Sequence, residues 1–293
     1  MLLDPSFLAE QLLNSLQFAM LLFLLAIGLS VIFGLMDYLN LAHGTIYMFA
    51  AYAAFSIAQH TGSFWLCLLI APLVSTAIGL ALYLGLLRKV ASKGHLVQVL
   101  LTVGVIYVGG DCVRIIYGDA LNGVSEPAML SGTVNLFGIE YPAYRLFIIA
   151  LGLVVQLALY VGLERTRLGA IVRAGVDDRA TVETLGINIG LVFTLVFALG
   201  TYLAGVAGVV AAPVFGVYPG MDVTIIILVL IVVVVGGPGS LRGAILGSLL
   251  IAVADTFGKI LLPQFAMVMI YCVMAVVLIF RPHGLLPARR FAA

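Results

Sequence analysis

The sequence predicts an all-α fold, a polytopic membrane helix bundle of about 8–10 transmembrane or re-entrant helices at ~20 residues per crossing. Three observations predict it. Hydrophobic residues make up 63% of the chain and charged residues 9%, against about a quarter charged in soluble domains. Mean hydropathy is +1.24. The polar residues are confined to short breaks between long apolar runs, as expected of helices that satisfy their own backbone in lipid. With 293 residues and 32 glycines, the chain suits a single transmembrane domain, 1–293, whose helices approach closely.

Apolar runs read as helices near 12–34, 39–59, 64–87, 96–117, 144–163, 188–212, 221–236, 244–262 and 265–281. Charged breaks fall at Arg88–His95, at Glu164–Asn188, around Arg242 and along Arg281–Arg290. If these breaks share one side, eleven of the 14 Lys and Arg lie there, and only Arg114, Arg145 and Lys259 fall on the other. The positive-inside rule then puts the breaks in the cytoplasm, the N-terminus outside and the C-terminus inside. Nine crossings satisfy that parity. The first ten residues carry Asp4 and Glu10 and no basic residue, the reverse of a cleavable signal's start.

The run 12–34 is plainly apolar. After it, Asp37, Asn40, His43 with Gly44, Tyr47, Ala51 and Ala54 recur at three- and four-residue steps, which on a helix forms one face. Two readings compete for that stripe. Asp37 or Asn40 caps the helix while His43 bonds a neighbour, or the stripe lines the inner part of a substrate path. Either way it points into the bundle.

Asp111 and Arg114, three apart, read as an interfacial ion pair. The segment from Gly118 to Tyr144 is the longest outside connection, rich in turn formers. Gly200, Ala204 and Gly208 step by four beside Gly205, a spacing that lets a second backbone come close. The short run Val223–Val235 lies between Pro219-Gly220 and Gly236-Gly-Pro-Gly-Ser-Leu-Arg-Gly. Short apolar segments interrupted by Gly and Pro are a pointer to discontinuous helices in transporters. Asp255 and Lys259, four apart in acid-then-base order, read as a structural pair. Cys67, Cys112 and Cys272 show no metal or disulfide spacing and read as small buried hydrophobes.

The segment 164–188 is a polar island. It holds Glu164, Arg165, Arg167, Arg173, Asp177, Asp178, Arg179 and Glu183, and such a set cannot sit in hydrocarbon. It must project into water or onto a partner, and it is the natural place for another subunit to take hold.

Other chemistries find no support in the residues. A net charge of +1 leaves no nucleic-acid footprint. There is no phosphate-binding Gly-x-x-x-x-Gly-Lys loop, the histidines at 43, 60, 95 and 283 are too scattered for a helical metal pair, and no acid/base constellation marks an enzyme. No catalytic residue and no metal site is expected. An ion-coupled secondary transporter is the alternative to a subunit driven from outside, with Asp255 the one acidic candidate seen for it.

Several segments taken together resemble the permease of branched-chain amino acid ABC transporters, of the LivH type. They are Leu39-Asn-Leu-Ala-His-Gly-Thr-Ile-Tyr-Met, Arg165-Thr-Arg-Leu-Gly-Ala-Ile-Val-Arg-Ala, Leu185-Gly-Ile-Asn, Ala204-Gly-Val-Ala-Gly and Gly236-Gly-Pro-Gly-Ser-Leu-Arg-Gly. The resemblance covers nearly the whole chain. It implies a multi-pass subunit of the bacterial inner membrane, importing branched-chain amino acids or related small polar or aromatic solutes. Its partners would be a second permease (LivM-type or another copy), two cytoplasmic ATPases carrying the ATP and Mg, and a periplasmic binding protein. It also implies that 164–188 is the cytoplasmic coupling segment, with Arg167, Gly169, Arg173, Asp178 and Gly186 as candidates for ATPase contact. Leu168, Ile171 and Val172 would supply an apolar ridge between the arginines. Asn40, His43, Gly44, Tyr47, Gly236, Gly237, Gly239 and Ser240 are candidates for the translocation path or for helix interfaces.

Overall fold

A computed structural model of the chain describes residues 4–36, 38–91, 93–136, 138–177 and 179–287, with the backbone alone described at 35, 168, 176, 177, 179, 180 and 267. The nine expected runs all become helices. In chain order these are α1 (Pro5–Met36), α2 (His43–Thr61), α3 (Phe64–Leu82), α5 (His95–Tyr117), α6 (Ala143–Glu164), α9 (Ile189–Phe215), α10 (Met221–Gly236), α11 (Leu241–Leu261) and α12 (Ala266–Phe280). A π turn, Tyr83–Leu87, carries α3 into the short α4 (Arg88–Val90). Starts follow local chemistry: the side chains of Ser63, Asn188 and Ser240 accept from Leu66, Leu191 and Gly243 N–H groups and so cap α3, α9 and α11.

Two connections hold more structure than the sequence suggested. The segment from Gly118 to Tyr144 contains an antiparallel hairpin, β1 (Thr133–Leu136) with β2 (Ile139–Pro142), registered from Thr133↔Pro142 to Leu136↔Ile139. The polar island folds into two short helices, α7 (Arg167–Asp177) and α8 (Arg179–Thr184).

Among the described residues six helices are long and apolar enough to cross a membrane, and Met221–Gly236 and Val268–Phe280 are shorter apolar ones. α2 is not among the six, and its surroundings explain why it need not be. It is ringed by α3, α5, α9 and α10, so protein rather than lipid solvates Thr45 and His43, both fully buried. α1 is similarly interior, packed along α11 and α9 with α6 and α10 beside it.

α9 is the common wall. Its small residues each admit a different neighbour: a Cβ on Gly200 would meet Ile32 at 2.6 Å, one on Gly205 the Pro72 backbone at 2.8 Å, and one on Gly208 the Tyr47 carbonyl oxygen at 2.3 Å. The glycine spacing predicted one close approach; the structure uses it for three, to α1, α3 and α2. Cys67 is buried as expected, but Cys112 and Cys272 are exposed on the bundle surface, because α5 and α12 each turn only a narrow face inward.

Candidate translocation path and coupling segment

The first site candidates gather where α2 begins. Asn40 (1% exposed), His43, Gly44 and Tyr47 are buried, as are Ala51 and Ala54 further along the same face, so the stripe points inward. The expected helix cap is not made. α2 starts at Ala42 with no side-chain cap, and both amide atoms of Asn40 are without a partner; Asp37 lies outside the described residues. His43 does bond a neighbour: its Nε2 lies 3.2 Å from the Leu25 carbonyl oxygen. A carbonyl only accepts, so Nε2 carries the proton and Nδ1, buried and unpartnered, is left as an acceptor. The ring fits because Gly28 and Gly200 bring α1 and α9 together there, with His43 Cε1 only 3.1 Å from where a Gly28 Cβ would stand.

Asp222 was missed by sequence reasoning. It lies in the first turn of α10, 2% exposed, and its Oδ2 accepts from Thr45 Oγ1 at 3.0 Å. Its carbonyl oxygen would be 2.6 Å from a Cβ on Gly44, so the starts of α2 and α10 are in contact through that glycine. An acid in the first turn of an otherwise apolar helix was the available signal, hidden by the Pro219-Gly220 turn just before it. Asp255 is the other buried carboxylate among the described residues, and there the predicted pair forms: Lys259 Nζ to Asp255 Oδ2 is 2.6 Å. Arg114 pairs with Asp111 at 3.5 Å and with Asp119 at 3.3 Å.

The glycine-rich turn is an interface between elements. Gly236 and Gly243 face each other across the α10–α11 hairpin, where a Cβ on Gly236 would meet the Gly243 oxygen at 2.2 Å. Gly239 abuts Gly34 at the end of α1, and its N–H donates to Ser30 Oγ at 3.1 Å. Gly237, at φ +102°, lies against Pro287. Ser240 caps α11 through Gly243 N–H at 3.0 Å. The chain after α12 returns to this turn, with Leu285 and Leu286 N–H donating to the Val235 and Gly236 carbonyls at 2.8 and 2.9 Å.

The polar island docks beside that turn. A cleft lined by Val31, Glu164, Gly169, Arg173, Gly239 and Leu241 joins α7 to the ends of α1 and α6 and the start of α11. Gly169 is buried on Leu163, whose oxygen a Cβ would overlap, and Arg173 donates through Nη1 to the same Leu163 carbonyl. Val172 packs with Leu163 against the core, so this part of the expected apolar ridge faces the bundle. Arg167 is exposed. Asp178 lies outside the described residues. Gly186, at φ +81°, ends the turn after α8, a conformation that favours glycine. Leu185 beside it, 73% exposed, is an apolar side chain the sequence reading did not single out.

The charged breaks converge on one end of the bundle. Arg88 Nη2 comes within 3.6 Å of the Cβ position of Gly190 at the start of α9, α7 meets the α10–α11 turn, and the tail from Arg281 meets the same turn. The opposite end carries a separate set: Arg145 and Tyr141 both donate to Asn14 Oδ1 at 2.7 and 3.1 Å, and Asn122 pairs with Val217.

A helical bundle with long apolar spans, a buried polar stripe and one charged end defines a multi-pass membrane protein built around its interior. Residues 11–278 match the family described as branched-chain amino acid transport system / permease component, and the chain belongs to that family. It is 30% identical to the high-affinity branched-chain amino acid transport system permease protein BraD of Pseudomonas aeruginosa, over 94% of this chain and 95% of the relative. It is 26% identical to the permease protein LivH of Escherichia coli K12, over 94% of each chain. It is also 31% identical to the LivM permease protein of the same organism, over 92% of this chain and 69% of LivM. No solved structure matches it.

Proposed function

We propose that this chain is one of two permease subunits of a bacterial inner-membrane ABC importer for branched-chain amino acids. The substrate class follows the relatives' names. The second permease is a LivM-type subunit or another copy. Two cytoplasmic ATPases, which hold the ATP and Mg, drive it, and a periplasmic binding protein delivers the solute. This chain catalyses nothing itself.

The observation that carries the reading is the gathering of the charged breaks, with α7 and α8, at one end of the bundle. By the positive-inside rule that end is cytoplasmic, the N-terminus outside and the C-terminus inside. There Arg167 and Leu185 offer a donor fork and an apolar anchor to the ATPase, while Gly169 and Arg173 tie α7 to the end of α6. Gly186 supplies the turn between α8 and α9. Force on α7 passes through the shared cleft to the Gly236–Ser240 turn, and so to α1, α10 and α11, beside the buried stripe at Asn40, His43, Gly44 and Tyr47. Family membership favours this over an ion-coupled transporter working alone.

The test is reconstitution with the second permease, the two ATPases and the binding protein. ATP-dependent leucine uptake is the expected result. Arg167→Glu together with Leu185→Glu is expected to cut co-purification of the ATPases and uptake at least tenfold while the bundle still elutes intact. Full ATPase association in that variant contradicts the coupling role.

A further inference from the structure

Asp222 is a buried carboxylate in the first turn of α10. Thr45 Oγ1 donates to it at 3.0 Å, the Val223 backbone N–H donates to it as well and the Arg114 charge acts on it from a distance, and among the described residues no cation forms a salt bridge with it. An ionised group buried in a membrane-spanning bundle is costly and by default marks a functional position. Three residues before α2, Asn40 has both side-chain amide atoms buried and unbonded, and His43 Nδ1 in the first turn is likewise unpaired. Buried polar groups are almost always satisfied, so a cluster of exceptions calls for a missing partner. The first-turn N–H groups of α2, at Gly44 and Thr45, have no intrahelical acceptor and carry the positive end of the helix dipole.

We propose that the abutting starts of α2 and α10 form the intramembrane site for the zwitterionic head of an α-amino acid. The Asp222 carboxylate takes the ammonium. The first-turn N–H groups of α2 and the Asn40 amide take the carboxylate, the arrangement by which half-helix N-termini hold anionic substrate groups. Thr45 positions Asp222, and Gly44 lets the two helix starts meet, since a Cβ there would be 2.6 Å from the Asp222 carbonyl oxygen. In this conformation the two starts are closed on each other, and the head group binds as α2 and α10 part. The inference rests on the permease reading above and adds the residues that recognise the solute.

The test uses the reconstituted complex with its binding protein, reading leucine uptake and binding-protein-stimulated ATP hydrolysis in parallel. Asp222→Asn and Asn40→Ala are expected to lower leucine uptake at least tenfold while hydrolysis stays within twofold of the parent, an uncoupling that a folding defect does not produce. If either fails to assemble, Asn40→Asp, nearly isosteric and repelling a carboxylate, and Asp222→Glu take its place, with at least a tenfold rise in KM expected. A wild-type complex that moves no amino acid counts against the permease reading. An active wild type with variants that transport equally well, or that lose uptake and hydrolysis in step, overturns this site alone.

Discussion

At Gly28 and Gly208 single hydrogens decide whether helices touch. A methyl group at Gly28 would stand 2.6 Å from the Gly200 carbonyl oxygen and 3.1 Å from the His43 ring, and one at Gly208 2.3 Å from the Tyr47 oxygen. Gly28→Ala and Gly208→Ala are each expected to cost about 1–3 kcal/mol, the usual penalty of overpacking. Gly104→Ala and Gly110→Ala, inside α5, meet open space and are expected not to destabilise, gaining up to about 1 kcal/mol from the better helix former. Thermal unfolding in one detergent compares the four. Lys259→Met leaves the Asp255 carboxylate, whose side chain is 12% exposed, without its partner. Because Lys259 itself is largely exposed, the expected loss is only about 1 kcal/mol, restored when Asp255→Asn is added. This pair was legible in the sequence because four-residue spacing on one helix places both ends. The Thr45–Asp222 contact was not, since it joins residues far apart in the chain whose meeting depends on how α2 and α10 pack.

Among the elements, apolar run length was enough to locate each of the nine helices expected from the sequence, often within a few residues. The misses have local causes. α2 begins at His43 rather than 39 because Tyr38–Ala42 keeps an irregular path into the bundle, and α1 reaches back to Pro5 through residues too polar to count as membrane sequence. The helical nature of α7 was masked by its charges, although Val172, Gly169 and Gly175 sit on the face it buries. Two predictions belong here. Gly169→Leu drives a side chain into Leu163 and is expected to lift α7 off α6, abolishing ATPase coupling with little change in the melting of the remaining bundle. Ending the chain at His283 removes the donors to the Val235 and Gly236 carbonyls; the expected loss is about 2–6 kcal/mol for two buried acceptors left open, read from the thermal midpoint.

For the whole molecule, the distribution of charge set the architecture before any contact was known. From the sequence, eleven of the 14 basic residues fall on one side, and the contacts of Arg88, Arg173 and the tail bring those segments to one end, while Arg145 bonds Asn14 and Lys259 bonds Asp255 away from it. What the charges do not encode is the interior: which polar side chains share a layer depends on helix rotation and depth, and these come from packing. In the proposed function this charged end faces the cytoplasm and carries the grip on the ATPases. Arg167→Cys in a background lacking Cys67, Cys112 and Cys272 tests it most directly, using a membrane-impermeant maleimide on right-side-out and inside-out vesicles. Labelling in inside-out vesicles only, blocked when the ATPases are bound, is the expected result; labelling of right-side-out vesicles contradicts it.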